Sequence, residues 1–317
     1  MSANSPIEWT DATWNPIGGC TRVSEGCRNC YAEVMAARFS GPGQWGEGLA
    51  RIVRGADGKA IDHRWSGQMR LNERALDLPL RWKKPRRIFV NSTSDLFHEN
   101  LPDEWIDKVF AVMALAPRHT FQVLTKRPER AREYLQHMER CFHASPEAFQ
   151  LAWGEAGLDI AGYGASDFIM DRSWPLPNVW LGTSIEDQAA ANARVPHLLE
   201  TPAAVRFVSA EPLLGRVILP GLIPMASPGN CISIDGDWWH TPGSCPNCRP
   251  SLDWVIVGGE SGHGARPMHP DWARSLRDQC AAADVAFFMK QMGGHPNKRG
   301  TFDDIPADLQ IREVPHA

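Results

Sequence analysis

Three cysteines stand close together near the start of the chain, in the pattern Cys20-x6-Cys27-x2-Cys30. Thiolates are the usual protein ligands of iron–sulfur clusters, and three of them on one loop can bind three irons of a cubane. The fourth iron then has no protein ligand and is open to a small molecule. Two alternatives remain: a zinc ion completed by a distant ligand, or three buried thiols without metal.

Polar side chains follow a series of short apolar runs at the points where the runs end. Because the carboxyl ends of parallel strands meet at one edge of a barrel, we expect these side chains to surround a common mouth. A ring of carboxylates, ammonium groups and hydroxyls suits a polar, charged cofactor. The ring consists of Ser92, Thr93, Ser94, Asp95, Lys126, Thr183, Ser184, Glu211, Glu260, Ser261, Lys290 and Gln291.

The runs themselves are nearly continuous in apolar residues, which is typical of strands buried on both faces of a parallel sheet. Segments with helical periodicity lie between them, at Pro102–Ala116, Pro128–His137, Asp187–Leu199 and Pro270–Ala283. The alternation predicts an α/β fold, a partial or full parallel barrel of six or seven βα units. The predicted strands are Ala12–Ile17, Arg87–Asn91, Thr120–Thr125, Asn178–Thr183, Val205–Ala210, Asp253–Gly258 and Val285–Lys290.

Three stretches interrupt this alternation: Ser40–Ser66, Met138–Pro177 and Leu219–Ser251. None has enough apolar periodicity for a core of its own, so we interpret residues 1–317 as one barrel domain with loop insertions. An α/β barrel of 317 residues is ordinary in size.

The composition excludes some broad classes of protein. The net charge is −4, from 33 basic and 37 acidic residues, which argues against nucleic-acid binding over the whole surface. The N-terminus does not resemble a signal peptide, and no apolar run is long enough to span a membrane. We therefore expect a cytoplasmic protein without membrane contact, whose eight cysteines are metal ligands or buried thiols.

A second group of cysteines lies in the insertion 219–251. Cys245-Pro-Asn-Cys248 resembles a zinc knuckle, and Cys231 and His240 could complete a tetrahedral zinc site. A mobile loop with free thiols is the main alternative, and a second iron site is another. Cys141 and Cys280 stand alone on predicted helices and are expected to be packing residues.

A basic run with an interleaved tryptophan, Arg81–Arg87, precedes the second predicted strand. Contact with phosphates and stacking on bases would use such residues. The alternative is a solvated basic turn.

Seven short motifs are spread along the chain: Trp14–Cys20, Cys27–Ala32, Asn91–Glu99, Leu124–Pro128, Gly182–Glu186, Ser209–Leu213 and Gly258–Gly262. Together they resemble the phage-associated three-Cys-motif family, which has largely unknown activity. This family is similar to radical S-adenosylmethionine (SAM) enzymes and is nearest to their spore photoproduct lyase branch. The resemblance covers nearly the whole chain except the insertions, although the spacing between Cys20 and Cys27 is longer than is usual in radical SAM enzymes.

The resemblance implies a barrel of the radical SAM type, a 4Fe–4S cluster on the three cysteines, and SAM at the open iron. It also implies a 5′-deoxyadenosyl radical, an electron donor such as a flavodoxin or ferredoxin, and a substrate among nucleic acids or nucleotides. By the same analogy, Ser92–Asp95 would contact the methionyl amine, Lys126 the carboxylate, and Thr183 with Ser184 the ribose or sulfonium.

Other interpretations of the same residues stay open. Asp95 with Lys126, or Glu211 with Lys290, could be ion pairs that close the rim of the barrel. The chain could also be a non-enzymatic nucleic-acid-binding protein in which iron–sulfur or zinc is structural. A zinc hydrolase is disfavoured because no histidine-rich triad with a general base is visible.

Overall fold

The computed structural model describes residue 5 and residues 7–222, 251–262, 264–293 and 302–315. Seven of its strands form one sheet, in which every neighbouring pair is parallel. The strands are β1 (Ala12–Trp14), β2 (Ile17–Gly18), β3 (Ala50–Arg54), β4 (Ala60–Trp65), β5 (Arg70–Leu71), β6 (Arg87–Val90), β7 (Thr120–Thr125), β8 (Val179–Ile185), β9 (Val205–Ala210), β10 (Trp254–Gly258) and β11 (Ala286–Gln291).

The order of strands across the sheet is β1-β6-β7-β8-β9-β10-β11, which is their order along the chain. The sheet curls into a half-barrel. Every residue of β8 and β10 is buried, as expected for strands covered on both faces. The predicted α/β fold with a partial parallel barrel is therefore confirmed.

Helices cover the outer face of the sheet. Among them, α4, α5, α9 and α10 lie in the connections between successive parallel strands, as βαβ units require. The described α-helices are α1 (Tyr31–Arg38), α2 (Glu73–Leu76), α3 (Leu78–Arg81), α4 (Asp103–Leu115), α5 (Pro128–Ala144), α6 (Pro146–Phe149), α7 (Glu155–Ala161), α8 (Ala165–Met170), α9 (Gln188–Leu199) and α10 (Pro270–Ala283). None of them is long and apolar enough to cross a bilayer.

An aromatic cluster fills the concave face of the sheet below its carboxyl edge. Trp254 lies at its centre, with its ring 5.7–6.2 Å from the rings of its neighbours. Rings tilted or edge-on at these separations are favourable. The cluster gives the half-barrel a solid floor. Its aromatic members are Trp9, Phe89, Trp180, Phe207, Trp254 and Phe288.

Two predicted boundaries were wrong. The first strand stops at Trp14 rather than continuing to Ile17, and the chain resumes as β2 in a separate pair with β5. Pro16 lies at this break and has no N–H to continue a ladder. Helix α5 continues to Ala144 instead of ending at His137, because Met138 and Cys141 keep its apolar face buried.

The insertions have different structures. Residues 40–66 include the antiparallel hairpin β3–β4. Residues 138–177 contain the end of α5 and the helices α6 to α8, and Phe149 and Trp153 from this segment join the same apolar core as the sheet. Cys141 and Cys280 are both buried in that core, as predicted. Most of the insertion 219–251 lies outside the described residues.

Candidate functional site

A cavity of about 130 Å³ lies at the carboxyl ends of β6, β7 and β8. Cys20, Cys27 and Cys30 all line it. The structure therefore brings the three predicted cysteines to one place at the mouth of the half-barrel. The enclosed volume is below the roughly 300–1,000 Å³ of ordinary ligand pockets, so it suits a compact group, and a larger ligand would extend over the open side.

The first part of the cysteine loop depends on Gly19. Its φ is +100°, and a Cβ there would lie 2.0 Å from the carbonyl oxygen of Gln68. Only glycine allows this close approach. Farther along, a Cβ on Gly26 would lie 2.8 Å from Oε2 of Glu186, so this second glycine lets the loop lie against the end of β8.

Cys30 is the residue immediately before helix α1. The backbone N–H groups of Ala32 and Glu33 favour its thiolate and act to lower the pKa, as N–H groups at a helix start do for an anion. Burial nevertheless raises the pKa of the Cys30 thiol, and the nearby Cys27 raises it further, while Lys126 acts in the opposite direction.

Burial also raises the pKa of Cys20, to about 12, and the carboxylate of Asp95 adds to this effect. The Arg127 guanidinium opposes it, with Nη1 3.9 Å from the Cys20 sulfur. A buried thiolate needs positive charge beside it, and metal ions displace thiol protons for this reason. Without such a cation, the raised pKa values keep Cys20 and Cys30 as neutral thiols.

Asp95 holds the ends of β6 and β7 together. Its Oδ1 accepts hydrogen bonds from the hydroxyl of Thr125 (2.6 Å) and the N–H of Phe97 (3.0 Å). Its Oδ2 accepts from the N–H of Lys126 (2.9 Å) and from Nη1 of Arg127 (3.2 Å). Both carboxylate oxygens are thus bound by the chain itself. The ion pair suggested for Asp95 and Lys126 is wrong, because the partner cation is Arg127.

Arg127 links this carboxylate to the cysteine loop. Its Nη2 donates to the hydroxyl of Thr21 (2.6 Å), and its Nε donates to Glu99 (2.5 Å). The Thr21 hydroxyl also contacts Nε2 of His98 at 2.9 Å. Because Nδ1 of His98 accepts from the N–H of Asn100, the ring proton is on Nε2 and points at Thr21. The residue after Cys20 is therefore fixed from two sides.

The remaining predicted residues near this cavity have different surroundings. Lys126 and Ser184 line the cavity, as do Ser92, Thr93 and Ser94. Nζ of Lys126 is 4.0 Å from Glu186, whose carboxylate also binds Arg194. Thr183 is fully buried, and its hydroxyl donates to the carbonyl of Thr125 on the neighbouring strand.

Glu260 binds the far side of the cysteine loop. Its carboxylate accepts hydrogen bonds from Asn29 (2.8 Å) and from the guanidinium of Arg266 (2.6 and 3.0 Å). Burial alone would raise the pKa of Glu260, but the bonds from Arg266 and Asn29 outweigh it and lower this pKa. Arg266 also reaches the carbonyl of Glu25 (2.9 Å). The loop after β10 thereby clamps residues 25–29.

Glu211 and Lys290 form the rim ion pair that the sequence suggested. Neither residue lines the cysteine cavity. The two side chains connect the ends of β9 and β11, and so belong to the other half of the mouth.

The proposed zinc ligands Cys231, His240, Cys245 and Cys248 lie outside the described residues. Within the described ranges, no group of three or more His, Cys, Asp or Glu side chains, the trio of Cys20, Cys27 and Cys30 included, is placed as it would be around a bound metal ion.

Residues of the basic run Arg81–Arg87 contact neighbouring side chains of the same chain. The Trp82 ring packs under the guanidinium of Arg86 and edge-on to His119. The backbone carbonyl of Trp82 accepts a hydrogen bond from Arg118. Arg87 pairs with Asp11. This run also precedes β6, so it lies at the amino end of the strand, opposite the cavity.

Three residues of the site were missed from the sequence: Asn91, Arg127 and Arg266. Asn91 and Arg127 lie within the motifs Asn91–Glu99 and Leu124–Pro128, but nothing in those motifs shows which side chain points into the cavity. Arg266 lies in an irregular segment after β10 that carries no periodic pattern.

No curated protein and no solved structure matches the chain. A family described as "protein of unknown function (DUF5131)" matches residues 4–311, which is nearly the whole chain. The chain belongs to the DUF5131 family.

Proposed function

We propose that the chain binds a 4Fe–4S cluster through Cys20, Cys27 and Cys30 and acts as a radical SAM-type enzyme. The observation that carries the proposal is the convergence of the three cysteines on one cavity at the carboxyl ends of parallel strands. Active sites of α/β barrels lie at this end. When bound, such a cluster supplies the electron that cleaves the sulfonium of SAM to give a 5′-deoxyadenosyl radical.

The residues around the cavity fit such a group by their chemistry. Three thiols provide soft ligands, and the cations of Lys126 and Arg127 balance the negative charge that the thiolates bring. Burial and hydrogen bonds to the ligating sulfurs are the means by which proteins tune these centres. The three cysteines are partly buried, and Nη1 of Arg127 lies 3.9 Å from the Cys20 sulfur.

The chain's own residues have separate roles in this proposal. Arg127 and Thr21 orient Cys20, whereas Glu260 and Arg266 hold the segment that carries Cys27 and Cys30. The aromatic floor beneath the cavity keeps water away from the buried side of the site. Lys126 provides a cation beside the open face, where the carboxylate of SAM would lie.

The test is anaerobic reconstitution with iron and sulfide, followed by dithionite and SAM. We expect a 4Fe–4S absorption spectrum and release of 5′-deoxyadenosine, and we expect Cys30→Ala to abolish both. A reconstituted cluster without any cleavage of SAM would contradict the enzymatic part and leave a metalloprotein.

A further inference from the structure

Asn91 has an unusual backbone conformation at the edge of the cysteine cavity. It follows β6 directly, with φ of +58°, and Asp284 is the other described non-glycine residue with a positive φ. Asparagine tolerates this left-handed region better than most residues. The conformation is held on both sides, because the Asn91 N–H donates to the carbonyl of Trp14 (2.8 Å) and its carbonyl accepts from Ser94 (3.2 Å).

The side chain of Asn91 carries a hydrogen-bond donor that no described residue uses. Its Oδ1 accepts from the N–H of Ile17 (3.3 Å), which fixes the orientation of the amide. Its Nδ2 is buried and has no partner among the described residues, although the residue is only 2% exposed. Buried amide donors nearly always have a partner, so this one needs an explanation.

The cysteine cavity explains the unpaired donor of Asn91. Asn91 lines it together with the three cysteines, Lys126 and Arg127. The lining also contains the carboxylate of Asp95, but both of its oxygens are already bound by the chain, whereas Lys126 and Arg127 bring two positive charges to the cavity. An unpaired amide donor in such surroundings suits an anionic acceptor held in the cavity.

We propose that Nδ2 of Asn91 donates a hydrogen bond to an anionic acceptor of the group bound in the cysteine cavity. The acceptor is either a sulfur of the cluster or the carboxylate of the molecule at its open iron. This inference rests on the proposed function for the identity of that group. The strained turn then serves to present the amide at the end of β6.

The test compares Asn91→Gly with wild type. Glycine keeps the left-handed backbone and removes the donor without adding charge. If a cluster sulfur is the acceptor, the midpoint potential falls by about 59 mV, which corresponds to a tenfold change for one electron. If the ligand carboxylate is the acceptor, the potential is unchanged and the affinity for SAM falls about tenfold. Unchanged potential and unchanged affinity overturn the proposal.

A matched control is Asp284→Gly, which relaxes the other left-handed residue, at the end of α10 and away from the cavity. This control should change neither the midpoint potential nor the affinity for SAM. Should Asn91→Gly fail to fold, Asn91→Ala is measured in the same two assays, since it also removes the donor without adding charge.

Failure of the proposed function would be separately visible. If the wild-type protein takes up no iron, the cluster proposal fails. The inference about Asn91 is then decided by the shift in the unfolding temperature of the metal-free protein when SAM is added. A shift that Asn91→Gly abolishes supports the proposal. A shift equal in both proteins, or no shift in wild type, overturns it.

Discussion

Replacing Arg127 with methionine should strongly destabilise the metal-free protein. The side chain is 10% exposed and pairs at 3.2 Å with Asp95, which is 7% exposed. Removing one partner of a buried pair leaves the other charge uncompensated, which typically costs about 3–5 kcal/mol. The pair with Glu99 adds little, because Glu99 is 57% exposed and exposed pairs contribute about 0–1 kcal/mol. We therefore expect the free energy of unfolding to fall by roughly 3–4 kcal/mol.

Urea unfolding of four proteins would measure this: wild type, Arg127→Met, Asp95→Asn and the double variant. The double variant should recover about 1–3 kcal/mol relative to the sum of the single losses, because the two groups contact each other. Glu99→Gln is the control and should lose less than about 1 kcal/mol. A loss below 1 kcal/mol in Arg127→Met, or strict additivity in the double variant, would refute the argument that this pair holds the cysteine loop.

Three further outcomes are expected. Burial, helped by Asp103 and Glu104, raises the pKa of Asp107 to about 6, so stability should fall as pH rises from about 4 to 6. Asp107→Asn should remove this dependence of stability on pH. After a discount for partial solvent exposure, its free energy of unfolding at pH 7 should exceed that of wild type by about 1–2 kcal/mol in urea unfolding. An equal pH dependence in the two proteins would contradict this. Gly182→Ala places a Cβ 2.5 Å from the Phe207 ring, so the free energy of unfolding should fall by about 1–3 kcal/mol in urea unfolding. Gly215→Ala is the control: a Cβ there meets no atom within 4 Å, and the free energy of unfolding should not fall. Glu260→Gln weakens the clamp on residues 25–29, so their amide hydrogen exchange should quicken while that of α5 is unchanged; protection equal to wild type would exclude the clamp.

Much of the fold could be predicted from the sequence because its strands are buried on both faces. The predicted run Asp253–Gly258, for example, is apolar without alternation from Trp254 onward, which separates it from the amphipathic helices. The errors were local. The end of β1 depends on Pro16, and the length of α5 depends on apolar contacts with the helical insertion that periodicity alone does not show.

The candidate site was only partly predictable. The spacing of the three cysteines pointed to one site, and the structure brings them to one cavity. The partner of Asp95 was misassigned because Lys126 and Arg127 are adjacent cations, and only the turn after β7 determines which one reaches the carboxylate. The positive φ of Asn91 arises from its tertiary bonds with Trp14 and Ile17, which lie more than seventy residues away.

The central claim is tested most directly by the iron and acid-labile sulfide content of the anaerobically reconstituted protein. The account predicts about four of each per chain in wild type, loss of both in Cys27→Ala, and retention in the control Cys141→Ala, whose thiol is buried in the core. A Cys245→Ala variant should retain them as well. Absence of iron, or iron and sulfide retained in full by Cys27→Ala, would contradict the account.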